Sequence, residues 1–291
     1  MTTPDSASER ARDALVRGGY APRQIEPAGT GSQHHLFVVE LDDGPMRLLR
    51  LPRSEFVDRL RPVLQAEAEA ALRASRVLPT PHPVELLPSV GLPEASLEPI
   101  LAGTRASSLR QSGDTSPDLS RICIELGRSL AALHRIERDE DDPTMIRTVT
   151  VDPPLSQTCL LHGDAHLGNL LVESHDRDGW TISGVIDWSF CAWGPPEADL
   201  VEMAICEAEP RPHLGRVFYE SYIDAGGLPP REPVFRELLI RELERRLLEH
   251  RQAREMEVRD HWTRWLDALR RPAAIATQVF AVGRESGRKL T

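Results

Sequence analysis

The spacing of hydrophobic and polar residues predicts an ordered series of helices and strands along the 291-residue chain. Helical spacing indicates a first helix over residues 6–18. Residues 36–41 and 46–51 are rich in β-forming side chains and flank the turn signal at 42–45, so they predict a hairpin. A small polar loop at 28–34 precedes this hairpin.

The next segments complete a small first domain. A helix is predicted over residues 59–77, and two short strands lie within 83–90 and 95–100. Residues 101–118 are rich in Gly, Ser and Thr, which is typical of a connection between domains. We therefore expect a division into residues 1–100 and residues 101–291.

The second part of the chain is predicted to be mainly helical. An apolar stripe at helical spacing indicates a helix over residues 119–136. Short buried strands at 160–161 and 170–172 flank a polar segment, and a further apolar strand spans 180–188. Three more helical segments follow, at 197–208, 214–225 and 234–271. No internal repeat is visible.

Composition excludes several classes of function. The net charge is −10 and no basic stripe with interleaved aromatic residues occurs, so we expect no nucleic-acid partner. No apolar stretch is long enough to span a bilayer, so we expect no membrane role. The four cysteines form no CxxC pair and the N-terminus lacks an apolar signal core, which predicts a cytoplasmic protein. Lys289 is the only lysine, which excludes any mechanism that needs an internal one.

The polar segment LLHGDAHLGNLLV carries the strongest chemical signal. Asp164 and Asn169 are five positions apart, and Asp187 follows at the end of the next apolar strand. This spacing matches the catalytic loop of kinases, H-x-D-x-x-x-x-N, followed by a metal-binding aspartate. Phosphoryl transfer needs a carboxylate to orient the acceptor hydroxyl and oxygen ligands for Mg²⁺. Asp164 fits the first role, and Asn169 and Asp187 fit the second.

A dinuclear metal site of the metallophosphoesterase type is an alternative for the same segment. Its ligands would be His162, Asp164, His166 and Asp187. Such a site needs further clusters of His and Asp, and the other histidines are not grouped with acids at ligand spacing. The kinase interpretation is therefore preferred.

The motifs HGDAHLGN, GVIDW and EADL resemble those of the aminoglycoside phosphotransferase family, whose fold is shared with choline kinases and protein kinases. The resemblance implies an α+β, two-lobed, protein-kinase-like fold, with a small antiparallel-sheet lobe and a larger helical lobe. It implies that Mg²⁺ and ATP or GTP are bound between the lobes. Asp164 would be the catalytic base and Asn169 and Asp187 the magnesium ligands, with His162 and Asp199 in supporting positions.

The N-terminal half offers candidates for nucleotide binding. The small residues of AGTGSQ, which include Gly29, Gly31 and Ser32, suit a loop whose backbone N–H groups approach phosphate. Arg50 occupies the place of the lysine usual in the family, as in the macrolide branch, with Glu67 as the expected partner and Glu69 as the alternative. Residues 98–100, from Glu98 to Ile100, would form the hinge that binds the purine.

The acceptor is expected to be a small molecule with a hydroxyl group. Acidic residues near the site favour a cationic aminoglycoside as a first expectation, with Trp193, Glu197 and Glu202 as candidates for its pocket. A macrolide, a nucleoside antibiotic or an endogenous metabolite are alternatives. The chain has Gly194, Pro195 and Pro196 where the family commonly has Gly-Asp-Pro. Together with the missing lysine, this leaves a nucleotide-binding pseudokinase as the non-enzyme alternative. A monomer or weak dimer is expected.

Overall fold

The structure is a computed structural model, and it describes residues 4–31, 33–42, 44–89, 91–112, 117–138, 144–152, 158–175, 179–208, 211–249 and 256–270. Packing divides the chain into two compact units. The first unit contains residues 1–105, 138–147 and 169–192, and the second contains the remaining segments. The expected division at residue 100 therefore applies only to the first continuous stretch, because strands from later in the chain complete the first unit.

The first unit is built on a five-stranded antiparallel sheet with strand order β1-β2-β3-β5-β4. The strands are β1 (Pro22–Thr30), β2 (His34–Leu41), β3 (Arg47–Pro52), β4 (Glu85–Leu87) and β5 (Ala95–Pro99). The predicted hairpin is confirmed as β2 and β3. The predicted loop at 28–34 is wrong at both ends: Gly29 and Thr30 pair with β2, and His34 begins that strand.

The two faces of this sheet differ in chemistry because side chains alternate along each strand. One face packs on helix α1 (Pro4–Arg17), which confirms the first predicted helix, and forms a core with Phe37, Val39 and Leu49. The opposite face carries Arg50, which lies directly across from Leu36 on β2 and Ser96 on β5. Helix α2 (Val57–Ala74) contacts β3 and β5 and supplies charged partners for this face.

A second, three-stranded sheet in the first unit joins distant parts of the sequence. Strand β6 (Thr104–Arg105) pairs with β8 (Leu170–His175), which pairs with β9 (Gly179–Val185). The ladder continues past the strand ends, where the N–H of Ile186 donates to the carbonyl of Asn169 at 3.0 Å. Asn169 and the residue preceding Asp187 are thereby held next to each other.

The second unit consists mainly of helices. These are α3 (Pro117–Leu133), α4 (Glu197–Met203), α5 (Pro212–Asp224), α6 (Glu232–Glu249) and α7 (Met256–Leu269). They confirm the helical segments predicted at 119–136, 197–208 and 214–225. The single segment predicted at 234–271 corresponds to two helices, α6 and α7, and residues 250–255 between them lie outside the described residues. Helix α3 packs so closely on α5 at Gly127 that a Cβ at this position would clash with the carbonyl oxygen of Phe218. Strand β7 (Cys159–Leu161) pairs with β10 (Ala192–Gly194).

Within the residues that the structure describes, none of the helices is both long enough and apolar enough to span a membrane.

Candidate active site

A buried carboxylate fixes the backbone of the loop that carries Asp164. The loop leaves β7 at His162, and Asp199 in the first turn of α4 accepts hydrogen bonds from the N–H groups of His162, at 3.0 Å, and Gly163, at 2.7 Å. The N–H of Asp164 in turn donates to Nδ1 of His162 at 3.2 Å. The backbone at Asp164 is therefore held on both sides of Gly163, whose φ of 81° is favourable only for glycine.

Two residues that the sequence interpretation missed complete this support. Nε2 of His134 lies 3.1 Å from Asp199, and Nδ1 of the same ring lies 3.0 Å from the hydroxyl of Tyr222. Burial alone would raise the pKa of Asp199, but the hydrogen bond from His134 and those from the loop lower it below the ordinary value. Asp199 is therefore a carboxylate that is ionised inside the core.

The carboxylate of Asp164 remains accessible, with a side-chain exposure of 26%. Nε2 of His166 lies 3.6 Å from it, while Nδ1 of His166 accepts a hydrogen bond from the N–H of Gly168 at 2.9 Å. Burial opposes protonation of His166, but the neighbouring Asp164 and the carboxylate of Glu202 raise its pKa above the ordinary value. Because Nδ1 acts as an acceptor, the ring proton of neutral His166 faces Asp164.

Asn169 and Asp187, the predicted magnesium ligands, both belong to the first unit and lie at adjoining backbone positions. Asp187 has a φ of 64°, which is costly for a residue with a Cβ and is typical of functional sites. Its side chain is 48% exposed, and Asn169 is buried. An amide oxygen and an accessible carboxylate are ligands that Mg²⁺ accepts, so these residues fit the expected ion.

Arg50 lies in a cluster of carboxylates on the sheet face opposite α1. Its Nη1 donates to Glu67 at 2.7 Å and to Glu98 at 3.1 Å, and Nη2 lies 3.8 Å from Asp187. Burial would lower the pKa of Arg50, but these carboxylates outweigh it and raise the pKa. Burial also raises the pKa of Glu67, against the effect of Arg50.

Of the two glutamates considered as partners of Arg50, Glu67 forms the ion pair and Glu69 has other partners. Glu69 pairs with Arg73 and accepts hydrogen bonds from Thr144 and the N–H of Met145. Glu98, assigned to the hinge from the family resemblance, directs its side chain toward Arg50. Ile100, the other hinge candidate, is 46% exposed.

The described part of the glycine-rich segment begins with the bulged end of β1. Gly29 has a φ of 149° beside an irregularity in the pairing of β1 with β2. The N–H of Gly31 donates to the carbonyl of His34 at 2.8 Å. Ser32 lies outside the described residues.

The three residues expected to line the acceptor pocket, Trp193, Glu197 and Glu202, are all buried, and this corrects that expectation. Trp193 is fully buried and offers no surface to a ligand. Glu197 is 1% exposed and forms two hydrogen bonds of 2.8 Å with Arg231. Glu202 is paired with Arg246. Sequence reasoning missed these pairs because the arginines lie far along the chain.

Asp164, His166 and Glu202 place their potential ligand atoms within 4.8 Å of one another. The pairing of Glu202 with Arg246 places a fixed positive charge beside this group, which disfavours a cation there. His162 is fully buried and its Nδ1 accepts the N–H of Asp164. Both observations weigh against the metallophosphoesterase interpretation.

The fold is of the protein-kinase-like class, and comparison with known proteins agrees. Residues 150–238 match the phosphotransferase enzyme family. This match confirms the resemblance to the aminoglycoside phosphotransferase family that the motifs predicted. No curated protein sequence matches the chain significantly.

Several solved structures share the fold. Macrolide 2′-phosphotransferase MphH from Brachybacterium faecium is 18% identical, with a TM-score of 0.59 over 92% of this chain and 99% of that one. The gentamicin complex of APH(2″)-IIa is 12% identical, with a TM-score of 0.59 over 91% and 96%. Amicoumacin kinase hAmiN, in complex with AMP-PNP, Ca²⁺ and Ami, is 14% identical, with a TM-score of 0.58 over 91% and 93%. The α+β, protein-kinase-like fold class is thereby confirmed.

Proposed function

We propose that this protein is a small-molecule kinase that transfers the γ-phosphate of ATP or GTP to a hydroxyl group. The observation that carries the proposal is the combination of a fixed backbone and an exposed carboxylate at Asp164. Its backbone is fixed through Asp199, yet its carboxylate is accessible, whereas the glutamates nearby in α4 are buried in arginine pairs. A fixed and accessible carboxylate is what orientation of an acceptor hydroxyl requires.

In the proposed reaction, Asp164 accepts a hydrogen bond from the acceptor hydroxyl and directs its oxygen at the γ-phosphorus. The new O–P bond forms as the bond to the β–γ bridging oxygen breaks, and the hydroxyl proton passes to Asp164. A weak base suffices because the proton leaves late in a loose transition state. Mg²⁺, held by Asn169 and Asp187, would neutralise phosphate charge when bound. Arg50 provides a buried cation for the phosphates nearer the nucleoside.

The buried ion pairs favour an acceptor of low positive charge over a polycationic aminoglycoside. Acidity near the site was the reason for expecting an aminoglycoside, but Glu197, Glu202 and Glu207 are each paired with an arginine. Within the second unit, the arginines therefore largely cancel the negative electrostatic potential of these glutamates, which would otherwise attract several ammonium groups. A macrolide, which carries few amino groups, fits better, and proteins with this fold include macrolide 2′-phosphotransferases.

The test is Mg²⁺-dependent nucleotide consumption with ATP and GTP in parallel, against macrolides, aminoglycosides, nucleoside antibiotics and amino alcohols. Asp164→Asn should lower acceptor-stimulated turnover by about 10²- to 10⁴-fold, the usual contribution of a positioned base. Binding of nucleotide to this variant should stay within about threefold of wild type. Asp224→Asn, an exposed aspartate in the same unit, is the matched control and should leave turnover unchanged.

Each outcome has a distinct meaning. Stimulation by a macrolide that disappears in Asp164→Asn supports both the kinase and the acceptor class. Stimulation by aminoglycosides alone would contradict the charge argument but not the kinase. Nucleotide binding without turnover for any acceptor would favour the pseudokinase, and full turnover by Asp164→Asn would remove that residue from the mechanism.

A further inference from the structure

Four buried side-chain atoms among the described residues of the first unit have no hydrogen-bond partner, and one of them belongs to a residue with no role in the function proposed so far. It is Nε2 of His34, the first residue of β2. His34 is 6% exposed, and buried polar atoms in folded proteins are nearly always hydrogen-bonded. The N–H of Gly31 donates to the backbone carbonyl of His34, so this histidine lies beside Gly31 of the glycine-rich segment.

The sheet register places His34 on the face that carries Arg50. Residues two apart along a strand share a face, so His34 lies with Leu36, and Leu36 is directly opposite Arg50 on β3. Arg50 and Asp187 are both close enough to influence the charge of His34. Burial, and then the positive charge of Arg50, lower its pKa to about 3. The ring is therefore neutral at physiological pH, and one of its two nitrogens carries a proton.

We propose that His34 is a phosphate-binding residue of the nucleotide site, in which Nε2–H donates a hydrogen bond to a non-bridging phosphate oxygen. This inference rests on the proposed function, because it assumes that the Arg50 face binds a nucleotide. A neutral donor is suited to this place. Arg50 already supplies the positive charge, and a second buried cation beside it would be repelled.

A purely structural role makes the opposite prediction for stability. If His34 only packed the sheet, its replacement would weaken the protein and lower nucleotide affinity indirectly. If Nε2 awaits a ligand, the protein without nucleotide bears the desolvation of an unsatisfied polar atom. An apolar side chain of similar size should then leave that form equally stable or more stable.

The experiment compares His34→Leu, His34→Gln and the matched control His35→Leu. His35 is the adjacent residue and also has an unpartnered buried Nε2, but it lies on the α1 side of the sheet with Phe37. Dissociation constants of Mg·ATP and of adenosine are measured by calorimetry. Thermal midpoints are measured without nucleotide.

His34→Leu should weaken Mg·ATP binding by about 10- to 100-fold, the value of a hydrogen bond to a charged group. It should leave adenosine binding unchanged and the thermal midpoint without nucleotide unchanged or raised. His34→Gln places an amide N–H near the position of Nε2 and should restore most of the affinity. His35→Leu should bind Mg·ATP as wild type does.

Unchanged Mg·ATP affinity in His34→Leu, an equal loss for adenosine, or a lowered thermal midpoint that accounts for the loss would overturn the inference. Failure of the wild-type protein to bind Mg·ATP would instead count against the proposed function, so the two failures are distinguishable.

Discussion

At the scale of single residues, Asp199 connects the helical core to the loop that carries Asp164. One carboxylate accepts the N–H groups of His162 and Gly163 and contacts His134. Sequence motifs indicated that Asp199 supports the loop, because EADL is part of the family resemblance. They gave no sign of His134, whose ring is brought to Asp199 by the packing of α3 and α5 rather than by any local pattern.

We expect Asp199→Asn to lower the free energy of unfolding at pH 7 by about 2–4 kcal/mol. The substitution replaces a buried carboxylate, whose two oxygens both accept hydrogen bonds, with a neutral amide that has only one acceptor oxygen. The pKa of Asp199 is lower in the folded protein than in the unfolded chain. Its stabilisation is therefore fully present above the unfolded value and is lost as the pH falls through the folded one. The difference between wild type and variant should be constant from about pH 7 to pH 5 and shrink below about pH 4.

Urea unfolding at pH 7, 5 and 3.5 checks this expectation, with exposed Asp224→Asn as the control. A difference that does not change with pH would mean that the carboxylate acts through its shape and not through its charge.

At the scale of elements, Arg50 joins two strands and a helix. It lies on β3 and binds Glu98 on β5 and Glu67 on α2, and all three side chains are largely buried. Periodicity predicted the elements, with Glu67 as the expected partner of Arg50 and Glu69 as the alternative. Both glutamates lie on α2, and the packing of α2 on the sheet determines that Glu67 faces Arg50.

Removal of the cation should leave two buried carboxylates without compensation. We expect Arg50→Met to lower the free energy of unfolding by about 3–5 kcal/mol, as is typical when one partner of a buried ion pair is removed. Adding Glu98→Gln to this variant should restore part of the loss, because one uncompensated charge disappears.

Urea unfolding at pH 7 is again the measurement. The matched control is Arg23→Met, which breaks the ion pair with Asp42 on the same sheet. Both of those side chains are more than half exposed, so an effect below about 1 kcal/mol is expected. Equal effects of the two arginine substitutions would contradict the importance of burial.

At the scale of the whole molecule, the proposed function predicts that nucleotide binding stabilises the fold through residues other than Asp164, the proposed base. With Mg·ATP at about 100 times its dissociation constant, the stabilisation is about 2.7 kcal/mol. For a chain of this size this corresponds to a rise of roughly 5–10 °C in the thermal midpoint. The rise should be reduced by EDTA and by Asp187→Asn, and retained in Asp164→Asn.

Differential scanning fluorimetry with ATP, with and without Mg²⁺, provides this measurement. Asp58→Asn, an exposed aspartate of the first unit, serves as the control and should behave as wild type. A magnesium-dependent rise that persists in Asp187→Asn would remove Asp187 from the ion site.

Apart from β1, β6 and β10, which the patterns did not predict, the sequence by itself determined the order of helices and strands. It also determined the kinase-like motif and the identity of Asp164, Asn169 and Asp187 as candidates. These features depend on residues that are near one another along the chain, where periodicity and motif spacing are informative. Tertiary structure alone decided that Glu197 and Glu202 are paired with Arg231 and Arg246 and do not line an open acidic pocket. The physical reason is that a charged side chain takes its role from its partner, and the partner is set by which helices pack together.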